Sequence, residues 1–255
     1  MSEEAIEERQ RLVYQARLSE HCERYDDMVE AMKCIALKFS PMEIEERNLM
    51  SVGYKNVVGQ RRTALRTFRH MLEMDPGSPQ IIEYIKRVEY ELDERCNEII
   101  SDILSDEFIN TKCVNTKDKV FYLKMKGDYY RYMAEYKKDE ARDSVAQNSL
   151  KAYNEALDKS IELEHTDTIK LGLALNFSVF YYEIMKKQSM AIDLAKKSFD
   201  EALASIDQLQ DSEYKDATLI LQLLRDNLTL WNNEIGEPAD EVNGDPPAEN
   251  DVDEK

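Results

Sequence analysis

The sequence is poor in the residues that make tight turns. Its 255 residues include only 7 glycines and 6 prolines, whereas average proteins carry about 7% glycine and about 5% proline. β-Sandwiches, β-barrels and glycine-looped nucleotide folds need these residues at their corners, so those architectures are disfavoured. No proline lies between Pro79 and Pro238, which leaves room for long helices. The sequence therefore predicts an all-α fold.

The sequence also lacks a hydrophobic run that could cross a membrane. Its most apolar stretch, residues 171–182, contains Asn176 and Ser178 and is much shorter than the roughly 20 apolar residues of a membrane helix. The first ten residues hold no apolar segment, so we expect no secretion. The four cysteines form no CxxC pair, which is typical of reduced thiols. We predict a cytoplasmic protein without membrane insertion. The nucleus is a second location that fits the same observations.

Catalytic and metal-binding motifs are missing as well. The sequence contains no GxGxxG, GxxxxGK[ST], HExxH or GxSxG pattern. Its three histidines, His21, His70 and His165, do not stand at metal-ligand spacing with a cysteine. Because 34% of the residues are charged, pairs of carboxylates are expected on solvated faces and indicate no catalytic dyad. We therefore expect no enzyme activity, no metal site and no cofactor.

Acidic residues outnumber basic ones by 52 to 34, and the formal net charge is −18 at pH 7. This excess argues against nucleic acid as the main partner, because phosphate backbones require a basic face. Residues 233–255 alone hold nine acidic side chains, one lysine and three prolines. Such a segment buries too little apolar surface to offset the entropy lost on ordering. We predict a helical domain over residues 1–232 and an acidic disordered tail over residues 233–255.

Polar breaks divide the body of the chain into helical segments. They occur at residues 40–43, 75–79, 115–116, 164–167 and 211–212, and Ser78 is a candidate N-cap. Between the breaks apolar residues recur at helical spacing; Leu219, Leu223 and Leu230 fall within about 40° of one another on a helical wheel. Residues 152–157 resemble half of a tetratricopeptide repeat, but no matching copy follows 34 residues away.

Three cations form a stripe in the segment 54–66. Lys55, Arg62 and Arg66 are spaced i, i+7 and i+11, within about 40° of one another over about 16 Å of helix. Like charges at i, i+4 cost a few tenths of a kcal/mol unless an anion joins them, and guanidinium groups suit bidentate capture of phosphate. The spacing alone allows either a solvated basic face or an anion site.

Two further segments carry polar groups that suit a ligand. Residues 124–132 place Arg131 beside Tyr132, and both side chains can donate to a phosphoryl oxygen. Asn176, Val179 and Glu183 share one helical face, a mixture that is unusual for a core and fits a groove wall. The aromatic residues between them also fit ordinary core packing.

These segments resemble the 14-3-3 proteins. The resemblance rests on RNLMSVGYKNV (residues 47–57) and YKDATLILQLLRDNLTLW (residues 214–231), which are similar to the two signature segments of that family. The segments VFYLKMKGDYYRY (residues 120–132), LGLALNFSVFYYE (residues 171–183) and RYDDM (residues 24–28) match as well. The likeness runs from about residue 12 to residue 231 in the right order.

The resemblance implies an all-α cup of nine antiparallel helices, dimeric, with one amphipathic groove per subunit. It implies an adaptor that clamps, masks or bridges phosphorylated client proteins in signalling, as a homodimer or heterodimer. The phosphate-binding set that it implies is Lys55, Arg62, Arg131 and Tyr132, with Arg66 beside them. The implied peptide-binding set is Lys124, Leu175, Asn176, Val179, Glu183, Leu219, Ile220, Leu223, Asn227, Leu230 and Trp231.

The resemblance also implies a dimer interface. It would pair Arg24 with Glu91 and Asp27 with Arg87 across subunits, with apolar contacts from Leu18, Phe68, Met71 and Tyr84. The connection at residues 75–79 is about four residues shorter than is usual in the family. The alternative to the adaptor is a tetratricopeptide-like scaffold that binds unmodified peptides, and a need for phosphate distinguishes the two.

Overall fold

A computed structural model describes residues 2–236, with the side chains of residues 2–234. This part of the chain is helical and contains no strand. Its ten α-helices are α1 (Glu3–His21), α2 (Tyr25–Lys38), α3 (Ile44–Met74), α4 (Pro79–Asp102), α5 (Asp106–Lys112), α6 (Thr116–Tyr136), α7 (Asp139–Lys159), α8 (Thr168–Val179), α9 (Gln188–Leu203) and α10 (Asp211–Gly236). The all-α prediction is confirmed. Nine of these helices have twelve or more residues, and α5, with seven, is the additional one.

Five of the ten helices, α3, α4, α6, α8 and α10, begin where the sequence places polar breaks. Glu43 and Glu46 form a capping box at the start of α3, in which the Glu43 backbone N–H donates to Glu46 Oε2 at 2.8 Å. Asp167 caps α8 by accepting a hydrogen bond from the backbone N–H of Ile169 at 2.9 Å. Ser78 occupies the N-cap position of α4, although its side chain makes no capping hydrogen bond. The turn before it needs Gly77, whose φ of 96° is unfavourable for other residues.

The described residues form two compact units. Unit 1 comprises residues 2–114 and 135–142, and unit 2 comprises residues 115–134 together with residue 143 onward. The core of unit 1 lies between α2, α3 and α4, where Met32, Met50 and Leu92 are fully buried. In unit 2 the rings of Tyr153 on α7 and Phe177 on α8 stack with centroids 5.0 Å apart.

Helix α8 continues into a π-helical segment, Phe180–Ile184, and α10 extends to Gly236. The first four residues of the predicted tail are therefore helical, and the remainder lies outside the described residues.

Among residues 2–236, no helix combines the length and the apolar character needed to cross a membrane. The same residues contain no group of three His, Cys, Asp or Glu side chains arranged to hold a metal ion.

Candidate functional site

In unit 1 the predicted phosphate-binding cations lie on α3. Arg62 is 6% exposed, Lys55 is half-buried and Arg66 is exposed. The guanidinium of Arg62 donates from Nε to Glu135 Oε2 at 3.0 Å and from Nη2 to Glu135 Oε1 at 2.8 Å. Two parallel hydrogen bonds fix the plane of a guanidinium as well as its position. Arg62 is thus held in one orientation by a carboxylate.

Glu135 was not among the residues predicted from the sequence. Glu135 belongs to the same helical segment as Arg131 and follows it by four residues, which is the spacing of a charge pair on one face. That spacing could have identified Glu135 as a partner of an arginine, but it does not show which arginine the carboxylate binds. Only the contact with Arg62, which lies 73 residues earlier in the chain, identifies its role.

In unit 2 five side chains form a buried polar network. We use this name for Lys124, Asp128, Arg131, Tyr153 and Asn176, each of which is at most 6% exposed. Asp128 is its centre. Its Oδ1 accepts hydrogen bonds from the Tyr153 hydroxyl and, at 3.1 Å, from Asn176 Nδ2. Lys124 Nζ lies 3.5 Å from its Oδ2, and Arg131 Nη2 lies 3.7 Å from Oδ1.

The network joins three of the predicted ligand-binding residues to two residues that the sequence analysis missed. Lys124, Arg131 and Asn176 were predicted; Asp128 and Tyr153 were not. Asp128 lies at i+4 from Lys124 and i−3 from Arg131, a spacing that could have identified it. Nothing in the sequence connects Tyr153 with these residues, because it comes from a different helix.

Arg131 also contacts the ring of Tyr132. The guanidinium carbon of Arg131 lies 4.8 Å from the centroid of the Tyr132 ring, within the range of a cation–π contact. The Tyr132 ring in turn meets the edge of the Tyr129 ring at a centroid distance of 5.5 Å. Both tyrosines are buried, so the aromatic surface beside the guanidinium is fixed by packing.

Burial raises the pKa of Tyr153 well above its usual value, and the neighbouring Asp128 carboxylate raises it further. The phenol therefore stays protonated over the whole physiological range. A protonated hydroxyl can donate to Asp128 while it accepts a hydrogen bond from Arg131 Nε at 3.3 Å. Tyr153 links a carboxylate to a guanidinium by this means.

The predicted peptide-binding residues of α8 and the π-helical segment differ in exposure. Val179 and Glu183 are half-buried and can contact a ligand with part of their surface, whereas Leu175 is 2% exposed and packs into the core. Phe177, Phe180 and Tyr181 are buried against Tyr153 and one another, so the core interpretation of these aromatic residues is the one the structure supports.

Helix α10 presents a partly exposed apolar stripe of Leu219, Leu223 and Leu230, with the half-buried Asn227 among them. Ile220 and Trp231 are buried instead, because their positions turn toward the core of unit 2. Trp231 stacks on Tyr182 with ring centroids 4.6 Å apart. The Tyr182 hydroxyl donates to the Glu234 carboxylate, which holds the end of α10 against the π-helical segment.

The predicted interface residues all belong to unit 1. Leu18, Met71 and Tyr84 are between 44% and 51% exposed, and the half-buried Phe68 ring stacks on Tyr84 at 5.2 Å. We call these four residues the exposed apolar face. The predicted charged residues pair within the chain: Arg24 with Asp27, and Arg87 with Glu91 at 3.4 Å.

Comparison with known proteins identifies the family. The sequence model of the 14-3-3 protein family matches residues 15–232. The chain is 49% identical over 243 residues to 14-3-3 protein 7 of Solanum lycopersicum, covering 93% of this chain and 96% of the relative. It is 48% identical to 14-3-3 protein beta/alpha-B of Xenopus laevis (92% of this chain, 98% of the relative) and to 14-3-3 protein 2 of Entamoeba histolytica (90% and 98%). The chain belongs to the 14-3-3 family.

Proposed function

We propose that this chain is an adaptor that binds client proteins through a phosphorylated serine or threonine, and that it clamps, masks or bridges them in signalling. The observation that carries the proposal is membership of the 14-3-3 family over residues 15–232, with about half of the residues identical in distant relatives. A protein of this family is an adaptor that binds phosphoproteins rather than an enzyme. The tetratricopeptide-like scaffold is not favoured.

The phosphate would be bound by Lys55, Arg62, Arg131 and Tyr132, with Arg66 as an additional cation. A phosphorylated serine carries a charge of about −1.5 to −2 and three acceptor oxygens. Each charge-assisted hydrogen bond to it contributes about 1.5–3 kcal/mol. The fixed guanidinium of Arg62 supports this role, because a group that is already oriented loses little entropy on binding.

The flanking peptide would be bound by groups from unit 2. Asn176 and Asn227 have amides that can pair with an extended peptide backbone, while Lys124 and Glu183 would contact its polar groups. The partly exposed stripe of Leu219, Leu223 and Leu230 supports an apolar wall. We propose Leu175, Val179, Ile220 and Trp231 as the remaining members of the wall, with Leu175, Ile220 and Trp231 shaping it from the buried side.

We further propose that the chain acts as a homodimer or heterodimer through the exposed apolar face. Apolar residues that are half exposed in one chain gain stability when a second chain covers them. A dimer has two phosphate-binding sites, and a client phosphorylated twice would bind the second site at an effective concentration of order mM.

We also retain the cytoplasm as the expected location and expect neither nucleic acid nor membrane among the partners.

The experiment is a titration of the protein into a fluorescent Arg-Ser-x-pSer-x-Pro peptide and into its unphosphorylated twin, followed by anisotropy. We expect binding of the phosphorylated peptide only. Lys55→Glu should weaken binding at least 100-fold, since it removes one cation and adds one repulsive charge (about 2.7 kcal/mol or more).

Lys151→Glu is the matched control. It makes the same change of charge at an exposed position of α7 that lies outside the predicted site, so binding should be retained. Equal affinity for both peptides would contradict the proposal and revive the scaffold alternative. Equal loss in the two lysine variants would mean that net charge, rather than a phosphate site, governs binding.

A further inference from the structure

We propose that Tyr153 and Asp128 are positioning residues of the ligand-binding site: Tyr153 sets the orientation of the Arg131 guanidinium, and Asp128 sets the orientation of the Asn176 amide. This inference rests on the proposed function, since it concerns how two of the proposed ligand-binding side chains are held. Neither positioning residue needs to touch the ligand.

The ring of Tyr153 is locked against α6. Gly127 makes this contact possible: a Cβ at this position would lie 2.7 Å from two carbons of the Tyr153 ring, closer than real side chains approach. The ring also stacks on Phe177, with centroids 5.0 Å apart. Ser149 fixes the same pair of helices by donating to the carbonyl oxygen of Gly127 at 2.8 Å. The phenol is therefore held from α6, α7 and α8 at once.

The hydroxyl of Tyr153 acts between two charged groups. It donates to Asp128 Oδ1, and it accepts a hydrogen bond from Arg131 Nε at 3.3 Å. An acceptor on Nε fixes the plane of a guanidinium, because this nitrogen is the point where the planar group joins its flexible stem. The 0% exposure of Arg131 and Tyr153 means that water does not compete for these bonds.

Asp128 determines which way the Asn176 amide faces. Only the nitrogen of an amide can donate to a carboxylate, so the 3.1 Å contact with Asp128 Oδ1 assigns this atom as Nδ2. The amide oxygen of Asn176 is then turned away from the carboxylate. Asn176 is thereby set to offer an acceptor, which suits a backbone N–H of an extended peptide better than a carbonyl group.

The two roles share one atom. Oδ1 of Asp128 accepts from both Tyr153 and Asn176, while Oδ2 lies 3.5 Å from Lys124 Nζ. A change in the orientation of this carboxylate would therefore disturb the guanidinium and the amide together. The arrangement links the group proposed to bind phosphate with the group proposed to bind the peptide backbone.

The test is Tyr153→Phe, which removes one oxygen and keeps the ring that packs on Gly127 and Phe177. We expect the phosphopeptide dissociation constant to rise about 10-fold with a cooperative thermal transition retained. Tyr181→Phe is the matched control, because it removes a hydroxyl from another ring that stacks on Phe177, and within the described residues this hydroxyl bonds neither Asp128 nor Arg131. It should bind as the unaltered chain does.

A double-mutant cycle separates positioning from general stability. If Tyr153 acts through Arg131, then Tyr153→Phe should weaken binding much less in an Arg131→Lys background than in the unaltered chain. Equal 10-fold losses in both backgrounds would overturn the role assigned to Tyr153. A Tyr153→Phe variant that binds normally, while Lys55→Glu does not bind, would overturn it and leave the proposed function intact.

Nuclear magnetic resonance supplies a measurement that needs no ligand. The Nε–H proton of Arg131, assigned by its loss in Arg131→Lys, should exchange with water at least 100-fold more slowly than that of the exposed Arg11. Tyr153→Phe should abolish this protection. Rapid exchange in the unaltered chain would contradict the proposal even if Tyr153→Phe does not fold, or if the chain proves not to bind phosphopeptides.

Discussion

The buried polar network and the predicted dimer interface both contain charged side chains, but water reaches only the second set. In the network Asp128 and Lys124 each have 7% of the side chain exposed. At the predicted interface Arg24, Asp27 and Arg87 have between 43% and 71% of the side chain exposed. Exposed ion pairs contribute about 0–1 kcal/mol because solvent screens them. Breaking a buried pair costs several times more, since one charge is left without a partner in a low dielectric.

The difference in exposure suits the network to ligand binding and the predicted interface to association with a second chain. Exposed charges whose pairs lie in solvent, such as Arg24 with Asp27 and Arg87 with Glu91, can exchange those partners for residues of a second chain at little cost. Buried charges with several partners cannot exchange easily, so they hold the side chains proposed to bind a ligand in one orientation. The comparison predicts that substitutions in the network affect folding and orientation, and that substitutions at the interface affect association only.

The largest effect is expected from removing the centre of the network. Asp128→Ala removes the carboxylate that accepts from Tyr153 and Asn176 and pairs with Lys124, so we expect the free energy of unfolding to fall by about 3–5 kcal/mol. Urea denaturation measures this. Asp200→Ala, which removes a carboxylate that is 55% exposed on α9, should leave the unfolding midpoint nearly unchanged. Similar losses in both variants would remove the distinction between buried and exposed charges.

The next effect concerns the exposed apolar face. Leu18→Asp places a charge where a second chain would cover the surface, so we expect the dimer dissociation constant to rise at least 10-fold (about 1.4 kcal/mol). Sedimentation equilibrium measures it. Leu37→Asp is the matched control, because Leu37 is 50% exposed, compared with 48% for Leu18, but lies outside the predicted interface. Association that is equally strong in both variants would place the interface elsewhere.

A smaller effect is expected in alkaline solution. The pKa of Tyr153 is raised in the folded state, so its contribution to stability is complete below pH 10 and is lost as the pH rises toward the folded pKa. Above pH 10 the free energy of unfolding should fall with rising pH, and it should fall less steeply in Tyr153→Phe than in the unaltered chain. The difference in slope should be up to about 1.4 kcal/mol per pH unit. Urea denaturation at several pH values measures the slope. An unchanged slope would show that the phenol titrates alike in both states.

The smallest effect is expected in acid, from the partly exposed ion pairs of unit 1. The hydrogen bond from Lys33 lowers the pKa of Asp102. Its contribution is therefore present above the unfolded pKa of about 3.9 and is lost as the pH falls through the folded value. Asp102→Asn should flatten the acid limb of the stability profile, by less than about 1 kcal/mol because solvent screens the pair. A larger flattening would mean that these pairs behave like buried ones.

The sequence predicted the helices better than the contacts between side chains of different helices, and particular residues show why. The starts of α3, α4, α6, α8 and α10 follow from local polar breaks, because capping and turn formation depend on neighbours in the chain. Glu135 and Tyr153 were missed, because each meets an arginine on another helix, 73 and 22 residues earlier in the chain. Ile220 and Trp231 were assigned to the groove wall by resemblance, and their burial could not be read from that resemblance.

The sequence by itself determined the helical class, the starts of five of the ten helices, the family and the identity of the cations proposed to bind phosphate. These features depend on composition, on local spacing and on long matched segments. Only the tertiary structure decided which carboxylate and which phenol hold those cations. Hydrogen bonds of this kind act over about 3 Å, and whether two side chains come that close depends on how separate helices pack, which no local pattern specifies.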